Sequence, residues 1–262
     1  MPRNADLLLL GVPLLLAALL FAESISPLRP AAYPTARRWV INAMLYLINV
    51  SIAATLEPGQ WALGGGIIKF AEETFGPLAA GAVGLLALDL GFYALHRLQH
   101  ASLYLWRLHA VHHSDLDVDV TTAVRHHPGE FLVNCLALGA LTMLLGIPPA
   151  VIALYGAMAI SLQMIQHANL GWPAWAERVA GMLFVTPSLH HRHHSCDPCV
   201  SSTNFGVVLS VWDRIFHTLN PCSAVVAFGV VNIDEPRCRT LWAVLALPMM
   251  ERSGDDGPTA ER

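Results

Sequence analysis

Four apolar stretches, at residues 39–57, 78–95, 131–147 and 150–165, set the terms on which this chain can fold. Such a run satisfies its main-chain polar groups in hydrocarbon only by coiling into a helix. The first two stretches are long enough to cross a bilayer, which takes roughly 20 residues. The last two flank Pro148 and Pro149 and read as a helical hairpin, its arms at the short limit for crossing, so partial entry is the expectation for them. Residues 5–22 are apolar enough for a further membrane helix, weakened by Asp6 and Pro13. A cleavable signal competes for that segment. A cleavage site after Ala22 also wants a small residue two positions earlier, where Leu20 stands, so a retained helix is expected. Charged residues make up 13% of the chain, against about 25% in soluble domains, and mean hydropathy is +0.50. The expected fold class is all-α: one integral membrane helical bundle over residues 1–262, without repeats or a second domain.

Basic residues orient the bundle. If the loop at 23–38, with Arg29, Arg37 and Arg38, is cytoplasmic, the hairpin goes out and returns, and every histidine cluster falls on the cytoplasmic side. Of the 15 basic residues only Arg3 and Lys69 then lie outside. A Gly-rich connection with Lys69, Glu72 and Glu73 is expected along the interface, and a polar tail follows Glu251. The net charge of −4 carries no nucleic-acid signature.

Most of the 13 histidines are clustered. His96 and His100 are four apart; His109, His112 and His113 form H-x-x-H-H; His190, His193 and His194 repeat it. Residues three or four apart share a helix face, so each cluster can aim imidazoles at one point. Packed together they repel when protonated, and a metal resolves this by binding them neutral. Eight imidazoles exceed the four that one structural zinc takes, which argues for two metals. Ligand type leaves iron, copper and zinc open. A metal transporter or sensor is the competing class, but its ligands would sit at mid-membrane, and here they gather at one end. A zinc protease of the H-E-x-x-H type is excluded, because that motif is absent. His126, His191 and His217 read as ordinary polar groups. The five cysteines form no disulfide framework, and the C-x-x-C at Cys196 and Cys199 reads as a turn set by Pro198.

The boxes, with Asp89, Tyr93, Arg97 and Trp106 around the first two, resemble the fatty acid hydroxylase/sterol desaturase superfamily of membrane di-iron oxidases. Arg125, His127, Pro128 and Glu130, then His167 with Asn169, Thr186–Pro187, Asn204–Phe205–Gly206 and Trp212–Asp213–Arg214 with Phe216, resemble further elements of that family, so the likeness runs over about residues 85–218. It implies metal ligation by His96, His100, His109, His112, His113, His190, His193 and His194, with His167 and His127 at further ligand positions. Asp89, two helical turns before His96, is a candidate to hold a ligand's outer nitrogen. The resemblance also implies a cytoplasmic di-metal cap holding two irons, with O2 as co-substrate and a lipid from the bilayer as substrate. Hydroxylation or desaturation of a C–H bond is the implied reaction, with ether-lipid cleavage and carotenoid ring hydroxylation as variants. No flavin or haem motif occurs, so electrons are expected from a separate ferredoxin or cytochrome b type protein with its reductase. A bacterial inner membrane is the expected location. Two departures stand out: His217 occupies a position where the family usually has glycine, and the Cys196/Cys199 pair follows the third box closely.

Overall fold

The computed structural model describes residues 3–56, 67–221, 225, 227–233 and 235–250. Residues 57–66 (the first part of the Gly-rich connection), Cys222 and the tail from Glu251 lie outside the described residues. Helix α1 (Arg3–Ile25) is followed by α2 (Thr35–Leu56), the short α3 (Ile67–Phe75), α4 (Pro77–Ala101) and α5 (Leu103–His113). A 3-10 turn at Val120–Val124 leads to the hairpin of α6 (Pro128–Leu145) and α7 (Pro149–His167). Short helices complete the chain: α8 (Ala174–Ala180), α9 (Pro187–His193), α10 (Pro198–Ser201), α11 (Val211–Ile215) and α12 (Leu241–Ala246). Among the described residues, extended pairing is confined to isolated bridges, Phe184 with Leu209 and Ser195 with Phe228. The protein is an all-α integral membrane bundle.

The helix ends follow local chemistry. Proline opens α4, α6, α7 and α9, where its missing N–H costs nothing. Ser102 takes an extended conformation (ψ 123°) and separates α4 from α5. Gly146, at φ 69°, closes α6 in the left-handed conformation that glycine adopts freely. Helices α2, α4, α6 and α7, of 22, 25, 18 and 19 residues, are apolar and long enough to cross a membrane. The hairpin arms exceed the sequence expectation because the helices take in polar residues beyond the apolar runs, Glu130 at the start of α6 and Gln166 and His167 at the end of α7. At 1.5 Å per residue they reach about 27–28 Å, close to the hydrocarbon thickness. Only 17–33% of the apolar window in each of the four helices is buried, so their apolar surface faces lipid. Within α1 the described apolar part, Gly11–Ile25, is shorter than a span.

Inside the bundle α4 is central. Its Leu88 packs with Ile147, Tyr155 and Ala159 of the hairpin and with Val208. A β-carbon on Gly91 would stand 2.5 Å from Leu141 Cδ2, so glycine lets α4 and α6 touch. A second core joins Ile41 and Leu45 of α2 to Val111 of α5 and to Val244 and Leu247 near the C-terminus. The C-terminal ends of α4 and α7 and the N-terminal ends of α2 and α6 meet at one end of the bundle, where α5 and α9 pack across them.

Candidate metal centre

The histidines converge at that end in two buried groups. His96 and His100 of α4, His109 and His113 of α5 and His193 of α9 bring one ring nitrogen each within 4.8 Å of one another. His112 of α5, His167 at the end of α7, and His190 and His194 around α9 form a second group by the same measure. Neighbours in sequence separate: successive helical residues point about 100° apart, which sends His112 and His113 to different groups.

The ring tautomers fit a cation. The Nδ1 atoms of His96, His193 and His167 lie 2.8, 2.8 and 2.7 Å from the carbonyl oxygens of Phe205, Thr203 and Gln163. The Nδ1 of His112 faces Arg125 O at 3.3 Å, and that of His109 lies 2.7 Å from Glu130 Oε1. Carbonyl and carboxylate oxygens only accept, so each Nδ1 is the donor and each Nε2 carries the lone pair. Yet these lone pairs crowd together. The Nε2 of His167 lies 3.2, 3.1 and 2.9 Å from those of His112, His194 and His190. That of His109 lies 3.1 Å from both His96 and His113 Nε2, and those of His100 and His193 have no partner. His167 and His112 both carry lone pairs at Nε2, as do His109 and His96, and two lone pairs cannot hydrogen-bond each other. Ligands at about 2.0–2.1 Å from a metal stand roughly 2.9–3.4 Å apart, and these spacings match.

Burial, reinforced by neighbouring imidazoles, holds His112, His113, His190 and His194 well below the usual imidazole range. Burial lowers His193 to about 3 and His191 to about 4, against the pull of their carbonyl contacts. These rings stay neutral at pH 7, the form a metal binds. The residues therefore fit two nitrogen-ligated metal ions.

Loops around the groups are held by buried polar residues. Asp89 accepts hydrogen bonds from Tyr155 Oη, Val208 N, Leu209 N and Trp212 Nε1 at 2.8–3.2 Å. It fixes the 205–212 loop that supplies the acceptor for His96, and no histidine is among these donors. Asp213 accepts from Phe205 N and Gly206 N at 2.8 Å and from Thr218 Oγ1 at 2.6 Å. A β-carbon on Gly206 would meet Leu209 O and Val185 Cγ2 at 2.7 Å and Asp213 Oδ2 at 2.8 Å. Arg125, 1% exposed, donates to Val111 O, Asn42 Oδ1 and Ser114 Oγ, tying the end of α5 to α2. Arg38 pairs with Asp115 at 2.8 Å and with Asp119.

Nine of the ten histidines expected as ligands lie in the two groups. His127 lies outside both. Pro128 opens α6, which makes His127 its N-cap: Nδ1 accepts from Gly129 N at 3.0 Å and Nε2 faces Leu245 O at 3.3 Å. Both ring nitrogens are engaged away from the centre, so this placement gives no support to ligation by His127. Sequence reasoning passed over His126, whose ring stacks on His112 with centroids 4.5 Å apart and whose Nδ1 lies 3.0 Å from Glu130 Oε1. It read Glu130 only as part of a motif, although its place in the first turn after His126 and His127 brings its carboxylate back toward them. Cys199 is exposed, Cys196 half-buried, and neither joins a histidine group.

A cavity of about 390 Å³ reaches both groups. His96 and His109 line it from one, and His112, His167 and His190 from the other. Apolar side chains of the membrane-length helices also line it, with Val50 on α2, Phe92 and Leu95 on α4, Leu138 on α6 and Ile160 on α7.

A sequence model described as fatty acid hydroxylase matches residues 81–218. The ornithine lipid hydroxylase OlsE of Rhizobium tropici is 35% identical over 139 residues, covering 53% of this chain and 41% of that protein. An alkylglycerol monooxygenase of Xenopus tropicalis is 30% identical over 171 residues, 60% of this chain and 36% of that protein. Its counterpart in Danio rerio is 31% identical over 147 residues, 56% and 32%. The chain thus spans well under half the length of these relatives. No solved structure matches it.

Proposed function

The chain belongs to the fatty acid hydroxylase family, and on that premise we propose that it is a membrane-bound, O2-dependent lipid hydroxylase or desaturase. One observation carries the reading: a single cavity is lined both by histidines of the two groups and by apolar side chains of four membrane-length helices. One iron would be held by His96, His100, His109, His113 and His193, and a second by His112, His167, His190 and His194. When bound, the pair supplies O2 activation and oxidation of an unactivated C–H bond. Hydroxylation consumes lipid, O2, two electrons and two protons and yields alcohol and water, so an electron donor is required. A separate ferredoxin or cytochrome b type protein with its reductase fits that need. Relatives named for lipid hydroxylation and monooxygenation support hydroxylation as the first activity to assay.

The chain's own residues select and hold the substrate. Val50, Phe92, Leu95, Leu138 and Ile160 bind an acyl or alkyl chain and exclude water, while Glu130 and the carbonyls of Phe205, Thr203 and Gln163 orient the ligand rings. The basic loops at the histidine end support a cytoplasmic site in the inner membrane of a bacterium, and residues 1–262 act as one membrane domain. Comparison of lipid extracts from cells with and without the gene, grown aerobically, tests the reading. A hydroxylated or unsaturated lipid should vanish, and should return with the intact gene but not with His109→Ala or His193→Ala protein that still inserts. An unchanged lipidome contradicts it.

A further inference from the structure

The cavity wall holds acceptor oxygens that the protein does not satisfy. Asn49 donates its amide nitrogen to His126 O at 3.0 Å, and Gln166 donates its own to Val207 O at 2.8 Å. These bonds assign the nitrogen of each amide and leave the oxygen as an acceptor. Neither Asn49 Oδ1 nor Gln166 Oε1 has a partner, and nor does Oε2 of Glu130, whose Oε1 serves both His109 and His126. The three residues are 4, 0 and 1% exposed. They come from α2, α7 and α6, and all line the same cavity. Unmet acceptors are not general there: Gln99 donates to Asn134 at 2.7 Å in the same wall.

Each of the three also sits beside the metal centre. Glu130 holds the ligand His109; Asn49 holds His126, which stacks on the ligand His112; Gln166 precedes the ligand His167. Buried acceptors are normally met by protein, by water or by a ligand. Hydrocarbon offers no donor, and ester and ether oxygens offer only further acceptors. We propose that the cavity is built for a lipid carrying hydroxyl or amide N–H groups at the level of the histidines, so that the C–H bond oxidised lies next to a hydrogen-bond donor. This rests on the cavity being the substrate site of the oxygenase proposed above.

Binding to the full chain loaded with zinc, which does not turn over, separates the two ideas. In one arm hexadecane-1,2-diol, its dimethyl ether and hexadecane compete with a pyrene-labelled hydrocarbon. In the other arm an N-alkyl acetamide competes alongside its N-methyl counterpart and the matching ketone. The diol, the amide or both should bind at least about tenfold more tightly than their donor-free analogues. Equal affinity of donor-bearing and donor-free lipids in both arms overturns the proposal. Asn49→Leu and Gln166→Met should narrow the preference to within about threefold while hexadecane affinity is kept; if either variant unfolds, the wild-type comparison decides alone. A preserved preference in a chain that oxidises no lipid when iron-loaded sinks the oxygenase reading and keeps only the cavity's selection of donor-bearing lipids.

Discussion

Glu130 Oε1 lies 2.7 Å from His109 Nδ1 and 3.0 Å from His126 Nδ1, so one buried oxygen orients a ring of the first histidine group and the ring stacked on the second. An acceptor behind a metal-ligating histidine fixes its tautomer, and its loss typically costs about 10–100-fold in metal affinity. Glu130→Ala should show a loss of that order in chelator-competition titrations, and Glu130→Gln, which keeps one acceptor oxygen, a smaller one. An alanine variant with wild-type affinity contradicts the role.

Gly206 admits no side chain. Because Gly206→Ala forces the loop carrying Phe205 away from Asp213 or Val185, it should cost about 1–3 kcal/mol of stability. The same shift pulls the Phe205 carbonyl from His96, so metal content should fall together with melting temperature. Unchanged values of both count against the packing.

His217 has φ 57°, in the left-handed region that favours glycine, and it stands at the position where the resemblance suggested glycine. His217→Gly should stabilise the protein by about 1 kcal/mol, a rise of about 2–4 °C in melting temperature for a chain of this size. Metal content should not change. A lower melting temperature excludes strain at this residue.

Acid should destabilise the metal-free protein. Unfolded imidazoles titrate near about 6.5, whereas burial holds His112, His113, His190 and His194 well below that value, His191 at about 4 and His193 at about 3. Above the unfolded value these rings are neutral in both states and contribute no slope. As pH falls below it the unfolded chain binds protons that the folded chain refuses, so stability drops, down to the folded values. His126, raised by Glu130 against the effect of its burial, works in the opposite direction but is one ring against six. Melting temperatures of chelator-treated protein in detergent should decline as pH falls below about 6.5; flat behaviour from there to pH 5 refutes the assignment.

The membrane helices were legible because apolar length is a strong local signal, and the histidine clusters because a spacing of three or four fixes a helix face. The division into two groups was not. It depends on how α5 and α9 cross the end of α4, which sends His193 to one group and His190 and His194 to the other. Asp89 illustrates the same limit: its spacing of seven from His96 suggested contact with a ligand, yet two main-chain N–H groups 119 and 120 residues away claim it. No pattern in α4 encodes those partners. The placement of His127 outside both groups has a local reason, since a residue before a helix-opening proline is an N-cap.

The central claim is a centre for two metal ions built only of imidazoles. Metal analysis of protein purified from aerobic cells, with single substitutions in each group, tests it directly. The account predicts about two irons per chain in the wild type, and selective loss of one in His100→Ala or His194→Ala, which belong to different groups. A single tightly held zinc with no iron, or loss of all metal from either variant in a folded chain, contradicts it.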